Sequence, residues 1–119
     1  MIHGYLTHDN TNCVIKNVYK TTNFFERMRG LLGKQKLNVD EGLLIRPCSS
    51  VHTFGMRFTI DVVFLDNELT IVKTVKSLKP WRMAASNASY IVLELAENSI
   101  NKLKLMTGQQ LEWHDEFAN

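Results

Sequence analysis

Cysteine and proline are scarce in this 119-residue chain, with two of each. Two thiols cannot build the disulfide framework on which many small secreted domains depend. No CxxC, HExxH or EF-hand spacing accompanies them, and Cys48 with His52 is the one close thiol–imidazole pair, so a structural zinc lacks ligands. Long apolar runs are also missing. None exceeds four residues, as in Val62-Val63-Phe64-Leu65, far below the roughly 20 residues of a spanning helix. The first residues, Met1 to Cys13, carry neither the basic start nor the apolar stretch of a secretion signal. These absences predict a cytoplasmic protein with free thiols, no membrane association, no metal and no cofactor.

Charge of one sign is lacking too. Fourteen Lys+Arg face 12 Asp+Glu, and a net charge of +2 is too small to announce a nucleic-acid partner. The distribution is less even than the total. Twelve basic and 6 acidic side chains lie within residues 13–82, against 2 and 5 within 83–119. No Lys/Arg cluster alternates with exposed aromatics, so the basic middle reads as a solvated face. The six glycines are scattered, which excludes a glycine-rich phosphate loop.

What is present fits one globular domain spanning residues 1–119, with 45% hydrophobic and 22% charged residues and no linker or repeat. At 13.7 kDa a folded surface of roughly 6,600 Å² is expected, enough burial for a core without disulfides.

Residues 2–7 and 13–19 read as a β-hairpin around the polar stretch His8 to Asn12, with Cys13 as a small buried hydrophobe. The period then changes to that of a helix over 23–33. Phe24, Phe25, Met28, Leu31 and Leu32 share one face, Asn23 and Glu26 form a capping box, and Gly33 stops it. Gly42 to Arg46 is a strand closed by Pro47. From Phe58 the even positions Phe58, Ile60, Val62 and Phe64 occupy one face, and Thr59, Asp61, Val63 and Leu65 the other. Apolar residues on both faces predict a central, covered strand. Asp66-Asn67 turns into a return strand from Glu68 to about Lys76, and residues 77–89 read as a loop. Tyr90 to Leu95 is a strand, Asn98 caps a helix from Ser99 to about Met106, and Gln109 to Trp113 is the last strand before a fraying acidic tail. The sum is a mainly β (α+β) fold: a small antiparallel β-sandwich or barrel of seven to eight short strands and two short helices, the first helix capping one end.

Among residues that could carry chemistry, Asp61 stands out as a carboxylate within a core strand, with Arg82 or Arg46 as expected partners. A structural hydrogen-bonded role is the leading reading for it. Cys48 and His52 suggest a thiolate–imidazole pair, with a buried thiol beside a hydrogen-bonded histidine as the stronger reading. Trp81 and Arg82 share a loop in which the guanidinium could grip a carboxylate or phosphate.

Several segments resemble the bacterial and archaeal domain-of-unknown-function family 192. They are Arg27 to Gly33, Glu41 to Ile45, Ser50 to Asp66, and Val92-Leu93-Glu94-Leu95 followed by a short helix and Gly108. The resemblance implies a small β-rich fold and no specific reaction. It places motif positions at Glu41, Gly42, His52, Thr53, Met56, Arg57 and Asp61, with a looser match at Trp81-Arg82. Ala96-Glu97-Asn98 and Gln109 depart from the family pattern.

The functional expectation is a binding module for a small polar or anionic ligand, its site drawn from Cys48, His52, Thr53, Met56, Arg57, Asp61, Trp81 and Arg82. The alternatives are an enzyme using His52, Cys48 and Asp61, or an accessory interaction domain that uses apolar edge strands.

Overall fold

In the computed structural model of the chain, residues 1–8 and 12–116 are described. Along them run β1 (Ile2–His8), β2 (Asn12–Lys20), α1 (Phe24–Arg29), β3 (Glu41–Ile45), β4 (Ser50–His52), β5 (Ile60–Leu65), β6 (Ile71–Leu78), β7 (Met83–Ala85), β8 (Ile91–Ala96), α2 (Ser99–Leu103) and β9 (Leu111–Asp115). Seven strands form one sheet in the order β6-β5-β8-β3-β2-β1-β9, and β4 pairs with β7 as a separate ribbon. The fold is mainly β, as expected. The expected loop over 77–89 contains β7, which raises the strand count among the described residues to nine.

The two ends of the large sheet meet. Ile71 N–H donates to Gln109 O, Gly108 N–H to Ile71 O and Leu111 N–H to Leu69 O, at 2.8–2.9 Å. The sheet thus curls on itself like a barrel, and its interior is filled by Leu6, Ile15, Val18, Val63, Leu65, Leu93, Leu95 and Ile100 among others. A second core lies on the outer face of β3, β5 and β8. There Leu43, Ile45, Ile60, Val62, Phe64, Val92 and Ala96 pack with Leu31, Leu37, Val51 and Met56. This double covering explains why every residue of β5 and β8 is buried.

One pairing departs from the antiparallel expectation. β2 and β3 run parallel, Asn17 opposite Glu41 through Lys20 opposite Leu44. Parallel neighbours need a long crossover rather than a hairpin, and residues 21–40 supply it. That crossover carries α1 and Leu31 onto the outer face of the sheet, opposite the β4–β7 ribbon. A cleft opens between them.

The helix boundaries are also corrected. α1 ends at Arg29, because Gly30 takes φ 51° and ψ −126° and terminates it, so Gly30 is a cap and not an interior residue. Asn23 does cap the helix, accepting from Glu26 N–H at 2.9 Å, while the Glu26 carboxylate reaches back to Thr22 N–H and hydroxyl. The apolar stripe is not a core face. Phe24, Phe25 and Met28 are 57%, 82% and 64% exposed, and Leu31, beyond the helix, is the stripe residue that packs inside. α2 is shorter than expected, and Asn98, at φ 75°, makes no side-chain cap. The readings of Cys13 as buried, of the turn over 9–11 and of the tail beyond 116 fall outside the described residues.

Candidate functional site

The cleft has a volume of about 480 Å³. Its first wall is the end of α1 and the residues after it, Arg27 to Leu32. Its second is the stretch Pro47 to His52 with Met56, and Ser89 and Tyr90 close one end. Ile45 and Glu94 form the floor. Such a volume suits a small molecule.

Glu94 reaches the floor through strand alternation. On β8, Ile91, Leu93 and Leu95 point into the barrel, so Val92, Glu94 and Ala96 point outward into the second core. Glu94 is 4% exposed. Its neighbours across the sheet are Val62 and Leu43, which offer no hydrogen bond from their side chains. A β-carbon at Gly30 would stand 3.7 Å from Glu94 Oε1, so the helix cap roofs the carboxyl directly. No described residue donates to it. Burial pushes its pKa from the ordinary 4.5 up to about 7.

Other polar groups of the cleft are already engaged. Cys48 Sγ donates to Ser50 O at 3.0 Å, and Cys48 N–H donates to Tyr90 O at 2.8 Å. Burial raises the Cys48 pKa, and the nearby Glu94 adds to that; the Ser50 contact and Arg27 oppose it in part. Ser89 Oγ lies 3.1 and 3.0 Å from the carbonyl oxygens of Cys48 and Ile91. Arg27 is half-buried and stacks on the Phe24 ring at 5.4 Å, and Arg29 is exposed. Neither guanidinium has a carboxylate partner among the described residues.

The expected site residues divide into three groups. Cys48, His52 and Met56 line the cleft. Thr53, Trp81 and Arg82 form a neighbouring unit: the fully buried Thr53 hydroxyl donates to Lys79 O at 2.6 Å and accepts from Arg82 N–H at 2.9 Å. Thr53 O also accepts from Trp81 N–H at 3.0 Å. This clamp holds Trp81 at φ 65°, an uncommon backbone conformation for a bulky residue. The Trp81 ring stacks on Phe54 at 5.9 Å, and Phe54 lies 5.1 Å from the His52 ring, so an aromatic row leads from the turn to the cleft edge.

Arg57 and Asp61 stand apart from the cleft lining. Arg57 is exposed on the bend before β5, which starts at Ile60 and not at Phe58. Asp61 is fully buried on the barrel side, where it accepts from Ser77 N–H at 3.0 Å and Ile100 N–H at 2.9 Å. Its expected arginine partners are otherwise occupied. Arg46 donates to Asn67 at 3.0 Å and lies over the Tyr90 ring, and the Arg82 side chain contacts Trp81 O at 3.3 Å. Two backbone amides therefore stabilise the carboxylate, and one of them belongs to the first turn of α2.

Glu94, Arg27 and Arg29 were missed as site residues by the sequence reading. Glu94 carries a signal that could have found it, since it is the one charge within Ile91-Val92-Leu93-Glu94-Leu95-Ala96. No group of three or more His, Cys, Asp or Glu able to hold a metal ion occurs among the described residues, nor any helix long and apolar enough to cross a membrane.

Comparison with known proteins gives matches across most of the chain. The model of domain-of-unknown-function family 192, described as Uncharacterized ACR, matches residues 6–113. A UPF0127 protein of Thermococcus sibiricus is 32% identical over 99 residues, covering 78% of this chain and 63% of that protein. A UPF0127 protein of Pyrococcus furiosus is 36% identical over 97 residues, covering 77% of this chain and 82% of its own length. A crystal structure from Sinorhizobium meliloti 1021, named there as a candidate transcription regulator, superposes with a TM-score of 0.80 at 18% identity, over 94% of this chain and 92% of that one. At that identity the likeness shows the fold alone.

Proposed function

We propose that this chain, which belongs to the uncharacterised domain-of-unknown-function family 192, is a binding module for a small polar ligand seated in the cleft over Glu94. One observation carries the reading: a buried carboxyl without a donor among the described residues lines an open cavity. Burying a polar group without a hydrogen bond costs about 1–3 kcal/mol on protein scales, and a charged one costs more. A ligand that donates to Glu94 supplies the missing partner.

The enzyme alternative finds less support. Asp61 faces the barrel interior, away from Cys48 and His52, and the Cys48 thiol is tied to a carbonyl with its pKa raised by burial. A nucleophilic thiol needs the opposite shift. The interaction alternative was motivated by open strand edges, and the bonds among Leu69, Ile71 and residues 108–111 close the start of both edge strands.

Screening a fragment library by amide chemical-shift perturbation tests the proposal. Hits should map to residues 27–32, 47–52 and 94, and Glu94→Leu should abolish them while the variant stays folded. A fragment set that never perturbs those residues would overturn the reading.

A further inference from the structure

The charges lining the cleft are arranged along its depth. Among the described residues Glu94 is the one acidic side chain lining it, and it lies on the floor, 4% exposed. The two permanent cations, Arg27 and Arg29, come from the end of α1 and stand at the wall toward the mouth, without carboxylate partners among the described residues. The remaining titratable groups that line the cleft are Cys48, His52 and Tyr90, from the opposite wall and end.

We infer that the ligand is zwitterionic, with a primary ammonium seated on Glu94 and a carboxylate or similar anion at the mouth against Arg27 and Arg29. This rests on the reading of the cleft as a binding site and goes further by fixing the ligand's chemical class. Two donors beside Glu94 are already used, Cys48 Sγ on Ser50 O and Ser89 Oγ on backbone carbonyls, and among the described residues neither guanidinium makes an ion pair with it. An ammonium brings three donors and a full charge, which matter most where water is excluded. A planar guanidinium at the mouth matches a carboxylate in a two-point contact. A purely anionic ligand would place its charge against Glu94 if it entered fully. A neutral hydroxylated ligand could donate to Glu94 but would leave both guanidiniums without a counter-charge. A compound carrying both charges is the class that satisfies floor and mouth together.

The probes that test this are glycine, 4-aminobutyrate and 6-aminohexanoate, with butylamine, butyrate and glucose as single-feature controls. Each is titrated into the intact chain carrying a ¹³C-labelled glutamate side-chain carboxyl, and the Glu94 signal is followed with pH. At least one amino acid of the series should bind about tenfold more tightly than butylamine or butyrate. It should also lower the midpoint of Glu94 titration. Arg27→Gln should weaken that binding without moving the free Glu94 midpoint, and Glu94→Gln should remove the preference for the ammonium. Equal or tighter binding of butyrate or glucose, or an unchanged preference in Glu94→Gln, overturns the zwitterion assignment while the cleft reading stands. Silence from every probe overturns the assignment as well, and the fragment screen then decides the cleft reading by itself.

Discussion

Asp61 and Glu94 lie on adjacent strands, one register step apart, and point to opposite faces of the same sheet. Asp61 pairs with Leu95 and Val62 with Glu94. Asp61 turns into the barrel and receives two backbone N–H groups, whereas Glu94 turns outward and receives none from the described residues. Two buried carboxyls thus have opposite physical roles. The first ties β5 to the start of α2 and to Ser77; the second lines the cleft with no hydrogen bond from the described residues.

Removing the first should cost stability and leave the cleft intact. Asp61→Ala strands the buried Ile100 N–H, about 1–3 kcal/mol, and frees the Ser77 N–H at a part-buried position that water can reach. Asp61→Asn should be milder, since one oxygen remains, but its amide opposes the other N–H. Urea unfolding measures both. A loss below about 1 kcal/mol for Asp61→Ala would show that water replaces the carboxylate.

Glu94 should make stability fall as pH rises. Its folded pKa of about 7 lies above the ordinary 4.5, so between these values the folded state holds a proton that the unfolded chain has released. The contribution is complete below about pH 4.5 and lost by about pH 7, a difference of about 3 kcal/mol for a shift of this size. Glu94→Gln should erase that slope. Its unfolding free energy should match the parent near pH 4 and exceed it above pH 7, with other titrating groups cancelling in the difference. Parallel pH profiles for the two proteins would refute the burial-driven shift.

The cleft thiol should be sluggish. Burial raises the Cys48 pKa, and the nearby Glu94 adds to the rise. Iodoacetamide labelling, read by peptide mapping so that Cys48 is followed alone, should run slower than for a free-thiol peptide throughout about pH 7 to 9. Faster labelling would restore the nucleophile reading.

How much of this was legible in the sequence depends on which side of a strand a residue occupies. The alternation from 58 to 65 separates the two cores correctly: Ile60, Val62 and Phe64 go to the outer one, Val63 and Leu65 to the barrel. Alternation cannot say which face carries a cleft. That depends on the 21–40 crossover settling over β3, β5 and β8, a tertiary event without a local signature. Asp61 therefore drew attention for the same reason Glu94 should have, a lone carboxylate among β-branched and aliphatic neighbours. The helical period of Phe24, Phe25 and Met28 is equally blind to context, since an exposed stripe repeats as a buried one does. Cys48, His52 and Met56 were within reach because they lie close together in the chain, on one cleft wall.

Thr53 should matter for the aromatic row and not for Glu94. Its hydroxyl bridges Lys79 O and Arg82 N–H, and this is what keeps Trp81 at a positive φ against Phe54. Thr53→Val keeps the shape and removes the bridge, with an expected loss of about 1 kcal/mol for two part-buried hydrogen bonds. Thr53→Ser should recover most of it. Amide hydrogen exchange over residues 79–82 should quicken in Thr53→Val, and no change there would show that the hydroxyl does not hold the turn.

Gly30 joins the backbone to the chemistry of the cleft. Its φ of 51° with ψ of −126° is closed to side-chain-bearing residues without strain, so Gly30→Ala should lose about 1–3 kcal/mol. The added methyl itself meets Glu94 Oε1 at 3.7 Å, an ordinary contact, so the cost comes from the backbone and not from a clash. The variant should relieve that strain by moving the end of α1, which carries Arg27 and Arg29 and roofs Glu94. Opening the roof rehydrates the carboxyl, and a rehydrated carboxyl titrates closer to 4.5. Gly30→Ala should therefore lower the Glu94 midpoint seen by ¹³C NMR while leaving Asp61 and the barrel interior unchanged. A lost stability with an unmoved Glu94 midpoint would separate the helix cap from the burial of the cleft floor.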